Sequence, residues 1–481
     1  MATPKLFTSN RLELLARELA ENLRAPLPSP FQPEIIVVQS QGMARWLKLE
    51  LAREHGICAN CIFPFPKSFS QWIFAPAFPE VAEESPFEPE TLVWTILGQL
   101  PTQLDKPEFV RLKNYLGKDN DPRKVFQLSD KIARLFDQYL VFRPEMILEW
   151  DNGKQDGWQP ILWREVVHAL NQPCRSRREE AHPSLGERKL SLLTSAPTTR
   201  GNHSQHLSAN AHPAALQKAF LEFATDPKVK FTGTAQRISI FGISALPKFY
   251  LEIFEALAEH TQLNLYLLQP CTQWWGYISS DRETEKTLKR LGKKSPAVSG
   301  FHIERGNRLL ASLGQQGRDF LNLIHEFEWD QHDHSKDFAN DSLLHCVQSD
   351  ILNLRDRGMG DEEKCIVARH DTSIEVHNCH SPLREMEVLH DHMLDWFAKD
   401  PTLAPHDILV MTPDIELYAP FIQAVFESPE KESHRIPVSV ADRGPRSQSQ
   451  VIQTFLKILA LPKTRLGATT VLSILESPMV R

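Results

Sequence analysis

Apolar positions along the chain fall into helical and strand patterns that alternate from the start. Leu12, Leu15, Leu19 and Leu23 recur at helical spacing, and Asn10 followed by Glu13 reads as a capping box ahead of them. Pro26, Pro28, Pro30 and Pro33 then interrupt the chain. Ile35, Ile36, Val37 and Val38 form an unbroken apolar run between polar residues, the pattern of a strand buried on both faces. Gln39 to Gly42 supplies a turn, and Met43 to Arg53 reads as a helix. Helix, strand, turn and helix in that order predict an α/β opening.

Helical periodicity dominates 85–170, most strongly around Trp94 and from Phe126 to Tyr139. No aromatic residue occurs from Arg164 to Ala219, and 171–213 is rich in Ser, His, Asn and Arg, so a flexible loop is expected there. A strand pattern returns at Arg237 to Ile243. A helix over Lys248 to His260 and a strand over Leu263 to Leu268 complete a β–α–β unit. Helices are predicted from Asn307 to Phe327 and from Ser342 to Leu354, before a polar linker at Gly358 to Asp371. Strands at Ile374 to Asn378 and Asp407 to Met411, alternating with helices at Leu383 to Lys399 and Ile415 to Phe426, predict a second α/β block. That block reads as unfinished at Arg481, which suggests a truncated chain. The expected organisation is an α/β domain from 1–84 and 225–365, a mainly helical insertion at 85–224, and the start of a second α/β domain at 371–481.

Composition narrows the function. With 481 residues the chain is long enough for several domains. The net charge is −7, whereas a free-standing, non-specific DNA binder is usually basic. Any nucleic-acid contact must therefore be local or shared with a partner. No apolar run reaches 18 residues and Met1 to Asn10 lacks signal-peptide features, so a cytoplasmic protein without membrane spans is expected. Seven scattered cysteines fit a reducing compartment.

Tandem α/β blocks suggest a RecA-like motor, but the motor chemistry is missing. A phosphate loop needs Gly-Lys followed by Ser or Thr after a buried strand. Here Gly117–Lys118, Gly153–Lys154 and Gly292–Lys293 lack that follower, and the turn after the first strand has one glycine and no lysine. The strand that should end in an acidic pair to hold Mg²⁺ instead runs Phe241, Gly242, Ile243, Ser244. Other clusters have plain readings. Cys58 and Cys61 make a C-x-x-C with no second pair nearby, so chance spacing in a loop competes with zinc or redox use. Glu375, His377 and Cys379 share a face by period-two alternation; a metal or nucleophile site competes with a strand end followed by a helix capped by Ser381 and begun by Pro382. Arg111 to Arg143 carries eight Lys/Arg against four Asp/Glu, with aromatics interleaved. It suits phosphate pairing and base stacking, or simply a solvated amphipathic helix. Asp281 to Arg318 is also net basic.

Six segments in order resemble one family, the gamma subunit (RecC) of exodeoxyribonuclease V, the RecBCD helicase–nuclease. They are Glu34–Leu47 (EIIVVQSQGMARWL), Phe126–Pro144 (FQLSDKIARLFDQYLVFRP), Phe241–Pro247 (FGISALP), Leu309–Phe320 (LLASLGQQGRDF), Leu343–Leu354 (LLHCVQSDILNL) and His380–Asp391 (HSPLREMEVLHD). The resemblance implies degenerate superfamily 1 helicase-like, RecA-like (P-loop-type) parallel-sheet domains with an inserted helical domain. It implies a non-catalytic subunit that splits duplex ends, guides strands and scans the 3′-ended single strand for Chi during recombinational repair. RecB-type and RecD-type partners would use the ATP and Mg²⁺, and this chain would bind no cofactor of its own. Carried over by position, the strand-reading residues are Gln39, Gln41, Arg45, Phe65, Leu135, Asp137, Gln138 and Arg143. The family's usual Thr and Gln in the first turn are Gln41 and Arg45 here, and Gln71 replaces a Trp, with Trp72 beside it. The rival readings are a scaffold that only docks partner helicases and an active ATP-dependent helicase. For Asp137 alone, the plain alternative is an ion pair with Arg134 or a nearby Lys.

Overall fold

A computed structural model describes residues 3–29, 31–81, 85–117, 121–171, 208–225, 236–290, 306–357, 364–427, 434–441, 449–463, 466–478 and 480. The chain divides into two compact units, Met1–Asp371 and Thr372–Arg481.

Unit 1 is built on a parallel sheet. Its strands are β1 (Lys5–Ser9), β2 (Glu34–Val37), β3 (Cys61–Ile62), β4 (Arg237–Phe241), β5 (Gln262–Leu268) and β6 (Asp330–Asp333), in the order β3-β2-β4-β5-β1-β6. All the pairings are parallel. The unbroken apolar runs have the explanation expected of them. Ile35, Val37, Ile238 and Ile240 point into one core, while Ile36, Val38, Phe241 and Tyr266 point into the other. Alternate side chains leave opposite faces of a strand, so a sheet covered on both faces needs apolar residues at every position. Helices α1 (Leu12–Leu23) and α2 (Gln41–His55) cover one face. Helices α3 (Pro66–Ala77), α9 (Pro213–Ala224) and α10 (Lys248–Ala258) cover the other.

A helical bundle is inserted between β3 and β4. It comprises α4 (Pro89–Gln103), α5 (Val110–Leu116), α6 (Pro122–Phe142), α7 (Pro144–Asp151) and α8 (Trp158–Asn171), around a separate core. Helix α6 buries Val125, Ser129, Ile132, Ala133, Phe136 and Leu140, one stripe at helical spacing. After β5 come α11 (Asp281–Arg290), α12 (Arg308–Leu313), α13 (Gln315–Ile324) and α14 (Leu343–Leu352). The helix expected over Asn307 to Phe327 breaks at Gly314. A Cβ there would lie 2.5 Å from the Leu310 carbonyl oxygen and 3.0 Å from the Trp275 ring.

Several expectations need correction. Asn10 does not cap α1. Its amide donates to the Lys336 carbonyl and its carbonyl accepts from the Lys336 N–H, both at 3.0 Å, so it staples the chain that follows β6. Strands β1, β3 and β6 carry mixed or wholly polar sequences, and burial periodicity does not reveal them. β6 is an edge strand, where polar residues are normal. Most of the expected flexible loop lies outside the described residues, but its end is packed. Asn210 donates to the Leu170 carbonyl at 2.7 Å, and buried His212 caps α9 while its Nε2 donates to Asp151 at 2.8 Å. Arg318, counted in the second basic stretch, is buried against the Ile278 carbonyl and Glu283. Among the described cysteines, Cys346 is joined to Cys365 in a disulfide, while Cys58, Cys61, Cys271 and Cys379 are free.

Unit 2 contains α15 (Pro382–Lys399), α16 (Ile415–Ile422) and the helices Gln450–Ala460 and Ala468–Leu475. Met386, Met393, Phe426 and Ile436 form its core. Ser381 caps α15 by accepting from the Arg384 N–H, and Pro382 is the first helical residue, as the sequence predicts. The expected strands at 374–378 and 407–411 do not pair among the described residues, and no second sheet is present there. Val376, Leu409, Val410 and Met411 are exposed. Apolar alternation marks the potential for a strand, but a strand exists only where a neighbour supplies the ladder.

Candidate nucleic-acid interface

In doubly covered parallel sheets, ligands bind beyond the carboxyl ends of the strands. Here β2 ends in Val37, Val38 follows it, and the chain emerges at Gln39. The Ser40 hydroxyl accepts from the Met43 N–H and starts α2. Gln39, Gln41 and Arg45 are exposed, and no hydrogen bond holds their side chains among the described residues. Next to them, Gly242 leaves β4 with φ +64°, and a Cβ there would lie 3.0 Å from Met43 Cε. Glycine permits both this left-handed turn and the close approach of the α2 start.

The Val38 N–H donates to the Pro64 carbonyl at 3.1 Å, which sets the Phe63–Phe65 loop beside the Gln39 turn. Phe65 is the N-cap of α3 and is 37% exposed. The first turn of α3 carries Lys67, whose ammonium donates to Glu88 at 2.6 Å. Lys67 also lies within electrostatic reach of Asp137 on α6. Burial raises the Asp137 pKa above the ordinary carboxylate value, Lys67 pulls it down, and Glu88 and Glu90 push it up. On the inner side, burial and then the Asp137 charge push the Tyr250 phenol up to about 12. The Val38–Pro64 hydrogen bond and the charge of Lys67 thus relate the Gln39 turn, the Phe65 loop and Asp137. Arg134 is not the partner of Asp137, because the Asp130 carboxylate holds it at 3.1 Å.

The remaining α6 positions do not share one face with Asp137. Leu135, Gln138 and Phe142 follow one helical stripe, while Asp137 and Val141 follow another, toward the sheet domain. Arg143 is exposed at the elbow where α6 ends and α7 begins. Lys67, Glu88 and Glu90 were not anticipated, since only the fold brings them to Asp137. The exposed Trp94 and Phe126 rings, 5.6 Å apart, form a second aromatic surface on the bundle.

Cys61 sits on β3 beside Cys58, and burial, then that neighbour, pushes its thiol up to about 12. A protonated thiol is a poor nucleophile, and Cys61 lies on a strand rather than in the expected loop. No described helix is long and apolar enough to cross a membrane.

Comparison with known proteins fixes the class. The family described as "RecC, N-terminal domain" matches residues 5–354. The RecBCD enzyme subunit RecC of Escherichia coli (strain K12) is 36% identical over 99% of this chain and 42% of its own length. Its counterparts in Haemophilus influenzae and Mycolicibacterium smegmatis are 34% and 30% identical, again over 99% of this chain and over 44% and 40% of their own lengths. A doubly covered parallel sheet with an inserted helical bundle is thus the frame of a RecC-type N-terminal domain. The chain belongs to the RecC family, and it spans about two fifths of the length of these curated relatives.

Proposed function

We propose that this chain is the non-catalytic, DNA-handling part of a RecBCD-type helicase–nuclease, and that it scans the 3′-ended strand for Chi at the carboxyl end of the unit 1 sheet. Its fold is read as a superfamily 1 helicase domain without motor residues, working with RecB-type and RecD-type partners in recombinational repair. The observation that carries this reading is the Val38-to-Pro64 hydrogen bond, which places the exposed Gln39 turn beside the exposed Phe65 ring. Amide and carboxylate groups read base edges by hydrogen bonding, and an aromatic ring offers a stacking platform. The Lys67 ammonium is already paired with Glu88, so this strip favours base edges over phosphates. Arg45 and Arg143 are exposed cations available to the backbone.

The test is a photo-crosslinker at Phe65 in the three-subunit enzyme on forked DNA. Crosslinks should form to the 3′-ended strand and not from Phe31, which is 89% exposed ahead of β2 at the opposite end of the sheet. Absence of crosslinks from Phe65 favours the scaffold reading, to which the net charge of −7 also points. ATP and Mg²⁺ are assigned to the partner subunits. The chain alone should show no DNA-stimulated ATP hydrolysis, and turnover abolished by a substitution in this chain would overturn that assignment.

A further inference from the structure

Unit 2 holds a side-chain cluster that strand reading does not use. Glu375 Oε2 and His377 Nε2 lie 3.5 Å apart on the extended stretch before α15. The His377 and His392 ring centroids are 4.4 Å apart, the latter ring coming from α15. One donor atom from each of the three residues lies within 4.8 Å of the other two. Two imidazoles and a carboxylate so close together are the ligand set of a borderline-soft divalent ion. Zinc bonds of roughly 2.0–2.2 Å at tetrahedral angles put ligand atoms roughly 3.3–3.5 Å apart. The Glu375–His377 spacing already meets that edge, and His392 has to close on it from within 4.8 Å.

Neighbouring residues sharpen the assignment. His390, two positions before His392, turns into the unit 2 core and meets the His434 carbonyl at 2.9 Å. His392 is free of that role and faces the extended stretch instead. That stretch lacks the usual anchors: Val376 is exposed, and no strand pairs with it among the described residues.

We propose that Glu375, His377 and His392 bind one divalent transition ion of the zinc type, which clips the extended stretch to α15. Three protein ligands leave a fourth position for water or another ligand.

The experiment uses the protein without a polyhistidine tag. Co²⁺ titration should give saturable visible absorption at one ion per chain, displaced by Zn²⁺. No thiolate-to-metal charge-transfer band should appear. His377 sits on an exposed stretch, so His377→Ala should leave the fold intact and weaken binding at least about tenfold, the scale seen for losing even a supporting partner of a ligand. His392→Ala should do the same, whereas Cys58→Ser/Cys61→Ser and His406→Ala should bind like the parent. Zn²⁺ should also slow proteolysis near 373–380 in the parent and not in His377→Ala. Three results would each overturn the proposal: no saturable binding by the parent, unchanged affinity in His377→Ala, or a thiolate charge-transfer band.

Discussion

The two ends of the unit 1 sheet treat their polar groups in opposite ways. At the amino end, Arg237 is 5% exposed, yet nothing on it is left unpaired for a ligand. It pairs with Glu34 on the adjacent strand and donates to the carbonyls of Asn22 at 2.6 Å and Ala25 at 3.0 Å. At the carboxyl end, Gln39, Gln41 and Arg45 face solvent with their hydrogen-bonding groups open. A buried cation is tolerable only when paired and hydrogen-bonded, so the amino end is committed to structure. Open amides at the other end cost folding little and stay available to a partner. The same strands, β2 and β4, run between both ends, so the paired and the open polar groups are separated along one sheet.

Breaking the closed end should produce the largest effect. Arg237→Ala leaves Glu34 partly buried without its cation and should destabilise unit 1 by about 3–5 kcal/mol. Gln39→Ala, at the open end, should change stability by no more than about 0.5 kcal/mol. Chemical denaturation of the two variants measures the contrast. Equal losses would show that the open end is structural as well.

Function should show the reverse order. In a complete three-subunit enzyme, Gln39→Ala or Asp137→Ala should change the response to Chi while unwinding persists, at a cost of about 1–3 kcal/mol at one base position. Unwinding assays on substrates with single-base Chi variants would report it. Unaltered Chi response in both would remove these residues from the reading surface.

Arg143→Ala should act differently from either. It should weaken strand binding for every sequence, most at low salt, and flatten the logarithmic salt dependence by about 0.7 for a single-strand phosphate contact. A steeper or unchanged slope would take Arg143 off the backbone.

How much of this was legible in the sequence depends on what each feature needs. The Ile35–Val38 and Arg237–Phe241 strands announce themselves, because burial on both faces demands apolar residues throughout. β6, with the sequence DQHD, could not be read that way: it sits at an edge, and among the described residues it pairs with β1 alone. The pattern at 374–378 misleads in the other direction, since no neighbour pairs with it among the described residues. At the candidate site, the exposed turn after β2 follows from local order along the chain. The Lys67, Glu88 and Asp137 grouping does not, because three separate helical segments meet there only through the docking of the bundle on the sheet. The Glu375–His392 proximity is hidden too, because only the folding of unit 2 brings the extended stretch and α15 together.

The smallest predicted effect concerns Asp137 itself. Burial is the main cause of its raised pKa, with Glu88 and Glu90 adding to it and Lys67 opposing it. A carboxyl whose folded pKa is raised binds its proton more tightly in the folded chain than in the unfolded one. Its favourable share of stability is complete below the unfolded value of about 3.9 and is lost as pH rises through the folded value. At neutral pH, Asp137 therefore works against folding. Glu252 and Glu255 are shifted the same way by burial, so the wild-type profile alone cannot isolate Asp137. The difference between wild type and Asp137→Asn can. Relative to wild type, the Asn variant should gain a little melting temperature between acid and neutral pH and nothing further above that, while losing Chi response. A variant that instead loses stability toward neutral pH would mean that the Lys67 attraction outweighs burial, making Asp137 a structural anchor of the same kind as Glu34.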